Sequence, residues 1–168
     1  LGVIPHITIK SERKGIFKKK KGETEKIFEL QERLVAQHDP KSTIAEAYKT
    51  LRTNIQFISS EGHKKTILFT SAGPLEGKSV TAANYAVTMS QMGHSTLLID
   101  ADLRRPVVHR IFGVEREPGF SNILLGAIKP DDAIKGLSDI LAGTLLKREA
   151  VSGIRGLDNL NILTSGTL

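Results

Sequence analysis

ILFTSAGPLEGKSVT, residues Ile67–Thr81, is the stretch on which the fold turns. Its apolar start, Ile67-Leu68-Phe69, predicts a strand. Small residues then form a loop, and Gly77-Lys78-Ser79 opens a helix rich in alanine. Strand, loop and helix in that order are the grammar of a phosphate-binding loop. Gly77 lets the backbone approach a phosphate with no Cβ in the way. The amides between Gly73 and Ser79 can turn inward as an anion nest, with the positive end of the helix aimed at the same point. Lys78 would add a charge between the outer phosphates, and the Ser79 hydroxyl would ligate Mg2+. The full pattern begins with glycine; here Ala72 takes that place, tolerable while its φ stays negative, with Gly73 beside it.

The next decisive stretch is LLIDADLRRP, Leu97–Pro106. Ser95–Ile99 reads as a second unbroken apolar strand with both faces covered. With the first strand and helix it makes a right-handed βαβ unit of about thirty residues. Asp100 and Asp102 lie two apart, so on a continuing strand their carboxylates share one side, at the end where open α/β sheets bind ligands. Two such carboxylates repel unless a cation lies between them, and a nucleotide-bound Mg2+ supplies one. Arg104 and Arg105 can offset charge or hold a phosphate. The plainer alternative is that both aspartates cap a turn.

Other segments organise around these two. Leu1–Ile7 reads as a short strand containing Pro5, as though cut from a longer polypeptide. Lys10–Lys26 is a charged linker centred on Lys18-Lys19-Lys20-Lys21. It reads as a solvated loop, with contact to anionic lipid as the sharper alternative, at about 1 kcal/mol per charge. Glu25–Gln37 reads as a helix with Ile27, Leu30 and Leu34 on one side, broken by Asp39-Pro40. Thr43 and Glu46 form a capping-box pattern for a clearer helix. Its apolar face is Ile44, Tyr48, Leu51, Ile55 and Ile58, and Gly62 closes it. Glu46, Lys49 and Arg52 share a flank, either a solvated side or an intersubunit surface. Beyond Pro106, short helices are expected at Val107–Phe112, Ser121–Leu125 and Asp131–Leu137, with a turn at Pro118-Gly119. Leu160–Leu163 reads as a buried strand.

Composition bounds the rest. At 168 residues the chain can build one real core. It has no cysteine, which excludes disulfides and thiolate chemistry. No apolar run approaches the ~20 residues of a membrane helix, and the N-terminus lacks a signal-peptide core, so the chain is read as not itself crossing a membrane. A net charge of +6 permits an anionic partner without choosing one. Aromatics at 5%, with no tryptophan, argue against a base-stacking platform, and no nucleic acid is expected.

Three stretches together, SAGPLEGKS, LLIDADLRRP and EAYKTLRTNI, resemble the bacterial tyrosine kinases (BY-kinases) of capsule and exopolysaccharide export. In that family they are the Walker A motif, the Walker A′ motif and a Glu-x-x-Arg-x-x-Arg oligomerisation motif. The resemblance implies an α/β, P-loop NTPase-like, doubly wound and mostly parallel sheet with helices on both faces, incomplete at its C-terminus. It divides the chain into an N-terminal strand and basic linker, 1–40, and the front portion of a kinase domain, 41–168. It implies ATP and Mg2+ as cofactors, and transfer of phosphate to protein tyrosine. By it, Lys78 binds the β- and γ-phosphates, and Ser79 and Asp102 hold the metal. Asp100, also facing the metal, helps deprotonate the tyrosine hydroxyl. Gly73, Pro74, Leu75, Glu76, Gly77, Val80 and Arg104 complete the nucleotide contacts. Glu46, Lys49 and Arg52 become a self-association surface, with Lys49 in place of the first arginine and so without bidentate geometry. LGVIPHI resembles the linker to a membrane-embedded chain-length-determinant segment, the implied activator. That puts the domain in the cytoplasm at the inner face of the cell membrane.

Two family features are missing. No Walker B motif follows residue 106, and the only tyrosines are Tyr48 and Tyr85, both in expected helices. The chain is therefore read as the front of a longer domain or a truncated product, with an uncovered sheet edge favouring self-association. Two alternatives stand beside the kinase. A partition or cell-division-site ATPase would carry a signature lysine where Gly73 stands. A non-catalytic nucleotide-binding or assembly fragment would need no third motif.

Overall fold

The computed structural model describes residues 3–5, 7, 30, 33–34, 36, 39–58, 66–143 and 156–167. The Lys10–Lys26 linker, Gly62 and most of Glu25–Gln37 lie outside the described residues. In chain order the elements are α1 (Thr43–Ile58), α2 (Lys78–Gln91), β1 (Thr96–Ile99), α3 (Val108–Phe112), α4 (Phe120–Leu124), α5 (Pro130–Ala133), β2 (Ile134–Lys135), α6 (Leu137–Gly143) and β3 (Leu160–Leu163). The fold is mixed α/β. Its sheet has the order β1-β3-β2, with β1 parallel and β2 antiparallel to β3.

β3 is the central strand. Leu97 pairs with Asn161 and Ile99 with Leu163, and the Asp100 amide extends the ladder to the Leu163 carbonyl at 2.9 Å. Leu160 and Ile162 are fully buried. α2 is the helix everything else packs on: it touches α1, β1, α3, β3 and the turn before β3. Its Ala83 and Ala86 are buried, as a helix lying close on a sheet requires. The core is closed by Leu98, Ile111, Phe112, Ile140 and Leu157. Asn84, in the middle of α2, is completely buried and fully bonded. It accepts from the Ala36 amide and donates to the carbonyls of Arg33 and Val80, each at 2.9 Å. This ties Arg33 and Ala36 to α2 and leaves no polar atom of the Asn84 side chain unpaired.

Several expectations are corrected. Residues 66–70 are not a strand. An extended segment becomes a strand only through a ladder partner, and no described strand pairs with it; Leu68 is 84% exposed. The βαβ unit therefore lacks its first strand. Residues 3–5 and 7 are likewise unpaired, and Pro5 has no amide to offer a ladder. β1 is covered on one face only, with Leu97 and Ile99 each 46% exposed. Leu34 is buried but lies outside helical conformation between helical Leu30 and Ala36, so no continuous helix carries it. The cap of α1 is Ser42, one residue earlier than expected: its Oγ accepts the Ala45 amide at 3.1 Å. Glu46 consequently falls past the capping-box position. Ile58 is exposed rather than on the buried face. Asp131–Leu137 is not one helix, because Ile134 and Lys135 leave α5 to pair with Leu163 and Ile162.

Candidate phosphate-binding site

The loop before α2 turns sharply. Leu75, not Ala72, is its non-glycine residue with positive φ, at 63°. Gly77 has φ 88°, a conformation glycine adopts without strain, and it stands at the N-cap of α2. No side chain caps that helix start, so its first-turn amides remain available to an anion. Ser71 Oγ donates to the Gly73 carbonyl at 2.8 Å, and the Gly73 amide donates to Glu76 Oε2 at 3.1 Å. Ser79 and Val80 sit half-buried in the first turn.

Lys78 reaches across to the segment after β1. Its Nζ lies 2.9 Å from Asp102 Oδ2, with the two side chains 33% and 26% exposed. Asp102 Oδ1 accepts the Arg105 amide at 2.9 Å. That amide, then the Lys78 ammonium, holds the Asp102 carboxyl below the usual carboxylate range. Arg104 and Arg105 are exposed at the mouth of this turn.

The two aspartates do not converge on one open point. Asp100 is buried, and its Oδ2 accepts the amides of Val107 and Val108 at 3.1 and 3.0 Å. Its Oδ1 accepts the Asp102 amide at 3.2 Å. For Asp100 the turn-capping alternative is the one observed: it terminates β1 and starts α3. Among the described residues no three His, Cys, Asp or Glu side chains cluster as metal ligands. The donor set nevertheless suits Mg2+ bound through phosphate, a hydroxyl and one carboxylate, because Mg2+ keeps several waters and needs few protein oxygens.

The flank on α1 also divides. Glu46 and Lys49 pair on the surface at 2.6 Å, and Lys49 also donates to the Pro40 carbonyl. Arg52 turns inward, its Nη1 donating to the Thr88 carbonyl of α2 at 2.9 Å. The trio is not a single free surface. Tyr48 and Tyr85 are both buried, and burial pushes both phenols up in pKa. Tyr85 packs on Phe69 with ring centroids 5.5 Å apart, which moors the approach to the loop on α2.

Sequence reasoning did not find a second polar cluster at the carboxyl end of β3. Lys135 is buried and donates to the carbonyls of Pro118 and Ala133 and to Thr164 Oγ1. Burial lowers its pKa. Arg116 donates to the Gly166 carbonyl at 2.8 Å. The available signal was a lysine between apolar residues Ile134 and Leu137, which ordinarily reads as exposed.

No family model matches the chain. The tyrosine-protein kinase YwqD of Bacillus subtilis (strain 168) is 44% identical over 110 residues, covering 66% of this chain and 46% of YwqD. The kinase domain of the Escherichia coli tyrosine kinase ETK superposes with a TM-score of 0.65 at 27% identity, covering 80% of this chain and 46% of that one. The BceF tyrosine kinase domain gives 0.65 at 28% identity, covering 86% and 50%. The chain thus spans about half the length of each of these three.

Proposed function

Because the chain belongs to the bacterial tyrosine kinase (BY-kinase) family, we propose that it binds MgATP at the 71–80 loop and serves transfer of the terminal phosphoryl group to protein tyrosine. The observation that carries this reading is the 2.9 Å contact between Lys78 and Asp102. It joins the phosphate loop to the aspartate motif across two elements, which a chance Gly-Lys-Ser turn would not do.

Phosphoryl transfer asks mainly for positioning and charge neutralisation. The uncapped first turn of α2 supplies backbone amides, and Lys78 a mobile cation that exchanges Asp102 for phosphate. Ser79 and Asp102 are the residues suited to hold Mg2+, which when bound spreads the developing phosphate charge. Asp100, bonded to three amides, is assigned to holding the 101–108 turn, and through it Asp102. The family resemblance adds a second role at the same side chain, assisting deprotonation of the tyrosine hydroxyl. Arg104 remains a candidate phosphate contact.

The finer reading follows the relatives. The domain would act in capsule or exopolysaccharide export, at the inner face of the membrane, beside a chain-length-determinant activator. Among the described residues no helix is long and apolar enough to cross a membrane. Glu46 and Lys49 are the part of the α1 flank open to a neighbouring copy.

Incubation with γ-labelled ATP and a tyrosine-containing acceptor protein tests the proposal, read separately for phosphotyrosine and free phosphate. Phosphotyrosine is the expected product. Free phosphate alone would mean a switch ATPase, and neither product would mean a nucleotide-binding or assembly module.

A further inference from the structure

We propose that Glu76 sets the nucleotide affinity of the loop by competing with phosphate for the loop's own backbone. This rests on the phosphate-loop reading above and concerns how that same site is regulated. The carboxylate folds back over its own turn. Glu76 Oε2 accepts the Gly73 amide at 3.1 Å, and a Cβ added to Gly73 would meet Glu76 Oε1 at 3.1 Å. The carboxylate therefore lies over Gly73, bonded through Oε2 with Oε1 close by, on the backbone an anionic ligand would approach.

The turn it closes is under tension. Pro74 and Leu75 form its tip, and Leu75 holds a φ of 63° with its side chain fully exposed. A branched apolar residue there is sterically disfavoured and gains nothing from packing. The Glu76–Gly73 bond spans that tip and is the described contact holding it closed. A triphosphate entering the loop meets a like charge already seated, and must displace it to take the amide. Glu76 then remains near the phosphates as a repulsive charge, which weakens retention and favours release of the spent nucleotide. The neighbouring Lys78 is engaged in the same manner by Asp102, so two ligand groups of the loop each have an internal acidic partner.

Calorimetric titration of the whole chain with MgADP, and with a non-hydrolysable MgATP analogue, tests this in wild type, E76Q, E76A and K78M. Both Glu76 variants are expected to bind the analogue tighter by roughly three- to tenfold, the scale of one screened unit charge at close range. The gain should shrink as salt is raised. E76A that unfolds at the wild-type temperature yet binds no tighter overturns the proposal. Wild type that binds neither nucleotide, or K78M that binds as well as wild type, removes the phosphate-loop reading itself and this inference with it.

Discussion

Asp100 gives both carboxylate oxygens to backbone amides inside a buried turn, so its loss strands three N–H groups without acceptors. D100A is expected to cost about 2–4 kcal/mol, measured as a fall in urea midpoint at constant m. Asp102 does a different job two residues later. Its folded pKa is depressed below the unfolded value of about 3.9. The stabilisation this represents is fully present above the unfolded value and is lost as pH falls through the lower, folded one. The difference in Tm between wild type and D102N should therefore hold from neutral pH to about pH 4 and close only in stronger acid. A difference that does not change with pH would mean that the Lys78 and Arg105 contacts do not stabilise the ionised form. K78M is expected to lose nucleotide binding while changing stability by no more than about 1 kcal/mol, since the pair it breaks is partly solvated. Equal nucleotide titrations in K78M and wild type would refute the assignment. That Lys78 and Asp102 lie close together was legible in the sequence, because motif spacing reports local backbone. The bonds from the Val107 and Val108 amides to Asp100 were not, because they depend on where those residues fold back.

At the scale of single elements, α2 opens at Lys78, as the Gly77-Lys78-Ser79 pattern predicted, and β3 has its predicted bounds, Leu160–Leu163. Both carry strong local signals: a small-residue helical face opened by Gly77, and a short run whose Leu160, Ile162 and Leu163 are buried. β2 was illegible for the converse reason. Two residues have no periodicity, and Ile134-Lys135 becomes a strand only because β3 lies beside it. The start of α1 was missed by one position because Ser42 and Thr43 both suit an N-cap, and the bond to the Ala45 amide selects Ser42. S42A is expected to cost about 1 kcal/mol and T43A within about 0.5, compared by thermal unfolding of the two variants. A larger loss in T43A would restore the capping-box reading. Arg52 links α1 to α2 through the Thr88 carbonyl. R52A should therefore destabilise the monomer, whereas a residue serving only a subunit surface would alter association alone; unfolding at low protein concentration separates the two.

For the molecule as a whole, the described strands leave one side of β1 unpaired, and Leu97 and Ile99 on it are each half-exposed. Such an edge invites pairing with another chain. Wild type is expected to self-associate with rising concentration, and L97K combined with I99K to shift sedimentation toward monomer. Identical profiles would show that association, if present, uses another face. The sequence announced the apolar runs but not which neighbours they would have, because strand pairing is decided by residues far away in the chain.

That distance has its own consequence during synthesis. β1 begins at position 96 and its partner β3 at position 160, 64 positions later. At about 5–20 residues per second, roughly three to thirteen seconds of translation separate their emergence. Through that interval the nascent polypeptide holds its phosphate loop beside a strand with no ladder. The arrival of β3, whose Leu160 and Ile162 are fully buried, thus acts as the latch that ends a window of vulnerability to holdase chaperones and proteases.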